Sequence, residues 1–553
     1  MPDQLAGLAH RVAQVVQESS DPDAIHASAL IDLLYEPGVG KPLQRSISSL
    51  QMAAWLGNRP AAVLADLAAA YLIRAERAHT PRDLIAAIEV ADEALEREPR
   101  NQTALYNRAL ALQRFGLVEE AAHGWQEYLR VDSVSGWAGE ARRHRREALT
   151  IDPLPTPPGP DAPEVGYAAY AVADPQRARE LGWCRVLGDW ANAALTGDTE
   201  RAEGHLQRAE ALGRGLEQRA GGDATLAYGV RAIRGQAEGR GLRKLAQAHR
   251  EFAAGCELQD RVEFRRAAPR FANAMAATDA SPTLQAWARL LYGSMVFHSG
   301  DARLGETIFR EVSAETDPAR HPALAARARL LLAMVLLRGD RYEAVLEQAQ
   351  KSHALFARAG ERENEAVALD ALAGTQFSLR DMDAGYALAQ RALQRLQPFR
   401  DSYRLHNLLS YVAEFVAGDG FPRSAVRMQD EGVRVAERTG NPAYVVEARL
   451  TRARLLAAAG AFDRASADIA TAEESLEKLG DPKVRGWMIA QRQMAAAATS
   501  LRAHPALVAT ALDSAATYYI EMSVPLLAFP AMVDGAWARV AAGDVSRGMT
   551  GLE

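Results

Sequence analysis

Three stretches hold side chains of the types that do chemistry. In LAQAHREFAAGC, His249 precedes Cys256 by seven residues, a possible base and thiol nucleophile. Seven residues along one helix put both on one face but about 10 Å apart, whereas a nucleophile and its base need to be about 3 Å apart. Both therefore read as packing residues, and Cys184, between Trp183 and Trp190 in LGWCRVLGDW, reads as core. The segment Gly38–Lys41, GVGK, invites comparison with a phosphate-binding loop. That loop needs G-x-x-x-x-G-K followed by Ser or Thr after a strand. Here Pro42 follows the lysine and no strand precedes it, so the segment reads as a loop between helices. The third stretch is Arg142, Arg143, His144, Arg145 and Arg146 on one helix. Without interleaved aromatic residues it reads as a solvated helix end whose cations complement the dipole, not as a nucleic-acid patch. No H-x-x-x-H or C-x-x-C pair occurs, so no metal, cofactor or catalytic residue is expected and the chain does not read as an enzyme.

Composition narrows the class further. At 553 residues the chain exceeds one ordinary domain unless it is a repeat array. Hydrophobic residues make up 48% and aromatic residues only 7%, with a mean hydropathy of −0.19, which suits closely packed helices rich in alanine. A net charge of −6 is too small to argue for nucleic acid or an anionic membrane as partner. Two cysteines make no disulfide framework, which favours a reducing compartment and a cytoplasmic protein. The N-terminal stretch MPDQLAGLAHRVAQVVQESSD reads as an amphipathic helix, not a signal peptide, and no apolar run approaches the ~18 residues that cross a bilayer.

The elements that organise all this are clearest in Gln102–Asp132, QTALYNRALALQRFGLVEEAAHGWQEYLRVD. Two amphipathic helices meet at a turn on Gly116, with Leu105, Ala109 and Leu112 on one stripe and Ala121, Ala122, Trp125 and Leu129 on the other. That order matches the tetratricopeptide pattern, whose period is about 34 residues. Ala109 and Ala121 stand where helix backbones come closest, and Gly116 ends the first helix. The preceding segment repeats the order with Leu64, Leu67, Ala68 and Tyr71, then Ala87, Ala91, Ala94 and Leu95, and Ala87 to Ala121 is one period of 34. A seven-residue insert, Arg77–Asp83, lengthens only its inter-helix loop.

The expected fold class is therefore all-α, an α-solenoid of tetratricopeptide-like helix-turn-helix repeats. Residues 1–58 read as capping helices, roughly Asp3–Glu18, Asp21–Tyr35 and Leu43–Leu56, and 59–150 as two 34-residue repeats plus a helix. Residues 151–165 form a Pro-rich linker, and 166–285 an irregular helical region. Over 286–553 the repeat returns with a period of about 40, turning at Gly300, Gly339, Arg380, Gly420 and Gly460. Gly305, Ala344, Gly385, Ala425 and Ala465 occupy the small-residue position five places on, and a further turn falls at Gly543-Asp544. The second helix opened there has little room before Glu553, from which we expect more chain to follow in the parent protein.

With no reaction chemistry in view, function should lie in surface. First helices line the concave side of stacked pairs, and the register gives Tyr106, Asn107, Leu110 and Arg114 as exposed there, then Asp370 and Phe377, then Asn407, Glu414, Glu447 and Arg454. Mixed charge with aromatics suits a protein or peptide ligand. A clamp for a C-terminal carboxylate would need Lys, Asn or Arg on consecutive first helices; Asn107 fits, but the preceding helix offers Ala65 and Ala69.

At LADLAAAYLIRAE, PRDLIAAIEVADEALEREP and ALYNRALALQRFGLVEEAAHGWQEYLRVDSVSGWAGEAR the sequence resembles the N-terminal repeat region of bacterial CHAT-domain proteins. DWANAALTGDTERAE and LAQAHREFAAG are similar to the same family. The resemblance implies a regulatory, scaffold-like solenoid that binds a protein or peptide partner and controls, in cis, a C-terminal caspase- and separase-like cysteine peptidase. The family's His and Cys dyad lies in that peptidase domain, and no residue here matches it. The alternative from the ~40-residue repeats is a ligand- or protein-sensing arm of a large bacterial transcription regulator.

Overall fold

The amphipathic stripes fold as helices. The computed structural model describes residues 11–550 except 18–19, 36–40, 151–152, 161, 219–221, 237–238, 276–279, 502 and 523–524, and contains no strand among them. After a helical stretch over residues 11–17 come α1 (Pro22–Tyr35), α2 (Lys41–Leu56), α3 (Ala61–Ala78), α4 (Pro81–Arg97), α5 (Gln102–Phe115), α6 (Val118–Val131) and α7 (Gly136–Leu149). The middle carries α8 (Glu164–Ala173), α9 (Pro175–Glu180), a π-helical turn (Leu181–Val186), α10 (Leu187–Thr196), α11 (Thr199–Gln218), α12 (Thr225–Arg234), α13 (Arg240–Asp260) and α14 (Phe264–Met275). The long repeats follow as α15 (Pro282–His298), α16 (Ala302–Glu315), α17 (Pro322–Arg338), α18 (Tyr342–Ala359), α19 (Arg362–Ser378), α20 (Met382–Leu396), α21 (Tyr403–Gly418) and α22 (Pro422–Thr439). The last helices are α23 (Pro442–Ala458), α24 (Phe462–Leu476), α25 (Pro482–Ser500), α26 (Pro505–Glu521), α27 (Pro525–Ala541) and α28 (Val545–Thr550). Most of the helix expected over Asp3–Glu18, residues 38–40 of GVGK, and Glu553 lie outside the described residues. The chain is an all-α solenoid of tetratricopeptide-like helix pairs.

Local chemistry explains where the helices start and stop. Asn101 Oδ1 accepts from the Ala104 amide at 2.9 Å, and 34 residues later Ser135 Oγ accepts from the Ala138 amide at 3.2 Å. Both are N-caps satisfying otherwise orphaned donors, so α7 opens a third repeat rather than trailing the second. Gly116 ends α5 at φ 110°, a conformation that costs glycine nothing. In the long repeats the residue with positive φ is Gly300, Asp340, Arg380, Gly420 and Gly460, each 40 residues after the last. The turn expected at Gly339 thus moves by one place: Gly339 has φ −102° and Asp340 takes the left-handed position, which a short polar side chain tolerates. The core position five residues on becomes Val345, fully buried, in place of Ala344.

Small residues set the helix crossings. Ala109 and Ala121 are fully buried, and a Cβ added to Gly124 would stand 3.1 Å from that of Ala109. No larger side chain fits between α5 and α6 without moving a backbone.

The helices group into two compact units that are not contiguous in sequence. The first comprises Met1–Asp152, Arg380–Arg438 and Leu455–Arg464. In it, α20 and α22 lie against the early repeats. Gln390 Nε2 donates to the Arg114 carbonyl at 2.8 Å, and Arg400 donates to the Ala148 carbonyl at 2.7 Å. Along α22, Arg423 forks onto Glu96 at 2.8 and 2.9 Å and reaches Glu89 at 3.1 Å. Arg427 forks onto Asp92 at 2.9 Å, Arg434 pairs with Glu120, and Arg438 forks onto Glu119 at 2.7 and 3.0 Å. Asp92, which also accepts from Arg108 at 2.8 Å, is buried; burial opposes its ionisation, yet Arg427 and Arg108 hold its carboxyl below the ordinary range. Glu431, on the same stripe, accepts from the amides of Glu119 and Glu120 at 3.2 and 3.1 Å, at the N-terminus of α6.

The second unit comprises Pro153–Leu379, Thr439–Arg454 and Ala465–Glu553. Its irregular region packs through glycines: Cβ atoms added at Gly182, Gly188 and Gly229 would stand 2.5, 2.6 and 2.6 Å from Leu226, Ala253 and Trp183. This unit also folds back on itself. The Arg265 amide donates to Asp481 at 3.3 Å, and Asn441 Nδ2 donates to the Asp260 carbonyl at 3.4 Å.

Ala121→Leu overpacks the helix crossing and should cost roughly 1–3 kcal/mol, while Arg380→Gly relieves a left-handed residue and should gain about 1 kcal/mol; guanidinium titration of each variant measures both. Burial, with the charges of Glu119 and Glu120, pushes Glu431 up to about 8 against the pull of two amides and Arg434. A carboxyl raised in the folded state binds a proton that the unfolded chain has released, so its contribution to stability falls as pH rises from the ordinary carboxyl range through about 8. Glu431→Gln should therefore become more stable relative to the parent as melting is followed from pH 5 to 9; parallel curves would contradict this.

Candidate functional site

The pair His249 and Cys256 forms no nucleophilic site. Cys256 is joined to Cys184 in a disulfide across 72 residues, with a Cα–Cα distance of 5.9 Å. This corrects the reading of two unpaired thiols. The fold lays the π-helical turn that carries Cys184 along α13, a proximity that sequence spacing does not encode. His249 is fully buried, stacked on Trp183 at 5.9 Å and edge-on to Trp190 at 5.4 Å. Burial pulls its pKa down to about 3, so the ring is neutral. Among the described residues, no group of three or more His, Cys, Asp or Glu side chains could hold a metal ion. No helix among them is long and apolar enough to cross a membrane.

In the first unit the predicted surface residues surround an aromatic cluster. Tyr106, half-buried on α5, meets Trp125 at 5.0 Å, Tyr128 at 5.4 Å and Trp137 at 5.3 Å, all edge-on. Edge-to-face contacts of this kind add about 0.5–1.5 kcal/mol each beyond area burial. Trp125 is fully buried, its Nε1 donating to Gln113 at 2.7 Å, and His144 stacks on it at 5.1 Å. Tyr128 donates to Asp132 at 2.7 Å. Burial, then the charge of Glu140, pushes the Tyr106 hydroxyl up to about 12, so it stays a neutral donor. On this rigid base Trp137 stands 60% exposed beside Val134, which is 93% exposed. Sequence reasoning missed Trp137, although the 34-residue interval from Asn101 to Ser135 marks it as part of a first helix.

The other predicted residues divide between the units. Leu110 is half-buried, and Arg114 pairs with Glu76 at 3.2 Å. Asn107 is buried, its Nδ2 donating to the Ala65 carbonyl at 3.0 Å, so the side chain ties α5 to α3 instead of facing a ligand. Asn407 and Glu414 on α21 are exposed. In the second unit Phe377 is only 2% exposed and packs in the core, while Glu447 is half-buried and Arg454 donates to Gln491. Asp370 is half-buried with one carboxylate oxygen lacking a hydrogen-bond partner, and burial pushes it up to about 7. The basic run on α7 turns largely to its own helix: Arg143 reaches Glu140 at 3.3 Å and Glu147 at 3.8 Å.

No family model matches this chain, and no curated protein does. Solved structures do. Yeast Tom70 aligns over 94% of this chain and 96% of its own at 12% identity, with a TM-score of 0.34. Aspartyl phosphate phosphatase F from Bacillus subtilis aligns over 77% and 94% at 13% identity, with a TM-score of 0.36. The Cut9–Hcn1 hetero-tetramer of the APC/C aligns over 97% and 98% at 12% identity, with a TM-score of 0.38. Likenesses this distant bring no ligand or partner to this chain.

Proposed function

We propose that the chain is a recognition scaffold that binds a protein or peptide, with the first-helix surface around Tyr106 and Trp137 as its docking point. The observation that carries the proposal is Trp137, 60% exposed yet held edge-on to Tyr106 over the buried Trp125. A large, pre-organised aromatic side chain at the surface supplies binding area at little entropic cost. Leu110 and the Arg114–Glu76 pair lie one and two turns along α5 from Tyr106, while Asn407 and Glu414 offer further exposed polar surface in the same unit.

The resemblance of residues from about 60 to 150 to CHAT-domain proteins supports a finer reading, in which partner binding regulates a CHAT-type cysteine peptidase acting in cis. The catalytic chemistry would then belong wholly to that effector, and the solenoid would supply only recognition.

The test is selection of displayed random peptides on the whole chain. Selected peptides should lose affinity about tenfold or more on Trp137→Ala or Tyr106→Ala, and Trp137→Ala, at an exposed position, should keep a melting temperature within a few degrees of the parent. Peptides that bind both variants as tightly as the parent would place recognition elsewhere. For the regulatory reading, a selected peptide should change the turnover of a CHAT-type peptidase domain mixed with the chain; unchanged turnover would dismiss it.

A further inference from the structure

A proline-rich segment opens the second unit, and its chemistry is complementary to that of the exposed tryptophan of the first. Residues 151–165 hold six prolines, Pro153, Pro155, Pro157, Pro158, Pro160 and Pro163. Proline fixes φ near the polyproline II value and brings no amide hydrogen. Residues 153–159 are accordingly extended, neither helix nor turn. No hydrogen bond among the described residues reaches the carbonyls of residues 153–158. The first anchor is Gly159, whose carbonyl accepts from the Tyr167 hydroxyl at 3.0 Å. In a helix of about three residues per turn, Pro157 and Pro160 fall on one edge and both are exposed, whereas Pro155 and Pro158 fall on another and are half-buried. The segment thus presents one proline edge and a row of free carbonyls.

Aromatic surfaces recognise such segments: rings pack on the prolines, ring donors take the carbonyls, and the preformed helix keeps the entropic cost low. Trp137 offers this chemistry. It is exposed, held edge-on by Tyr106 at 5.3 Å, and its Nε1 makes no hydrogen bond among the described residues. The exposed Val134 adds apolar surface, and a Cβ added at Gly136 or Gly139 would meet nothing within 4 Å, so the approach is open. Charge agrees. On α7, Arg142, Arg143, Arg145 and Arg146 outnumber Glu140 and Glu147, whereas residues 151–165 carry Asp152, Asp161 and Glu164 and no lysine or arginine. Opposite charge of this kind steers encounter and disfavours wrong partners. We propose that the surface around Trp137 receives the proline-rich segment, residues 153–160, of a second copy of this chain, each copy giving its segment to the other. Reciprocal exchange closes a symmetric pair, whose second contact forms at the effective concentration set by the first. The proposal rests on the docking reading above and names its occupant.

The experiment is sedimentation velocity of the whole chain over a dilution series. The parent should pass from monomer to dimer as its concentration rises. Trp137→Ala should weaken the dimer about tenfold or more, and so should the double variant Pro157→Ala, Pro160→Ala, both with the helical circular dichroism of the parent. Each variant keeps what the other lacks, so an equimolar mixture of the two should recover a one-sided pair, intermediate between parent and either variant. A synthetic peptide of residues 152–164 should dissociate the parent dimer, and the same peptide with its six prolines replaced by alanine should not. A parent that stays monomeric throughout the series overturns the proposal; peptide binding at Trp137 in that case would mark a proline-rich segment of another protein or of the same copy as the occupant. A dimer that survives both variants overturns it too, as does a mixture that associates no better than either variant alone. The docking reading is judged separately: displayed peptides lost on Trp137→Ala, with a parent that remains monomeric, would uphold that reading and end this one.

Discussion

The first unit depends on one stripe of charge. On α22, Arg423, Arg427, Glu431, Arg434 and Arg438 follow one another at steps of four, four, three and four, which aligns them on a single helix face. They meet Glu89, Asp92 and Glu96 of α4 and Glu119 and Glu120 of α6. Asp92, Glu89, Glu120 and Glu431 are all less than one-tenth exposed. Such pairs return little net stability, because desolvation consumes most of the Coulombic gain. Their consequence is registry. Sliding α22 by one turn would leave buried charges facing the wrong partners, and each orphaned charge costs several kcal/mol. Alanine-lined helices pack in many offsets; this stripe admits one.

This separates two kinds of information in the chain. Within a repeat, contacts join helices close in sequence, so a small residue every 34 or 40 positions is enough to reveal them. Ala109, Ala121, Gly116 and the turns at Gly300, Gly420 and Gly460 were legible for that reason. Between distant repeats nothing recurs. Arg427 and Asp92 are 335 residues apart, and each alone resembles an ordinary solvated charge on an amphipathic helix. The disulfide of Cys184 and Cys256 escaped notice for the same reason: only the third dimension brings a π-helical turn against α13.

Candidate surface residues were legible only in part, because register gives a helix face but not the depth of its neighbours. Tyr106 and Arg114 remain accessible. Asn107, one residue along, is drawn inward because the Ala65 carbonyl of α3 comes within 3.0 Å of its amide. Phe377 likewise sinks into the core. The one-place shift from Gly339 to Asp340 has a related origin: glycine marks where a left-handed residue is easiest, and aspartate is permissive enough to take the place when packing of Val345 demands it.

Charges left over after this accounting are few, and their chemistry distinguishes them. Arg179 is buried against Glu361 with both nitrogen–oxygen distances at 3.0 Å, and Asp223 receives the Ala323 amide at 3.1 Å and the Thr225 amide at 2.9 Å. These groups complete the fold and ask for nothing further. Asp370 has an unpartnered oxygen, but at about 7 it can take up a proton near neutral pH and shed its charge.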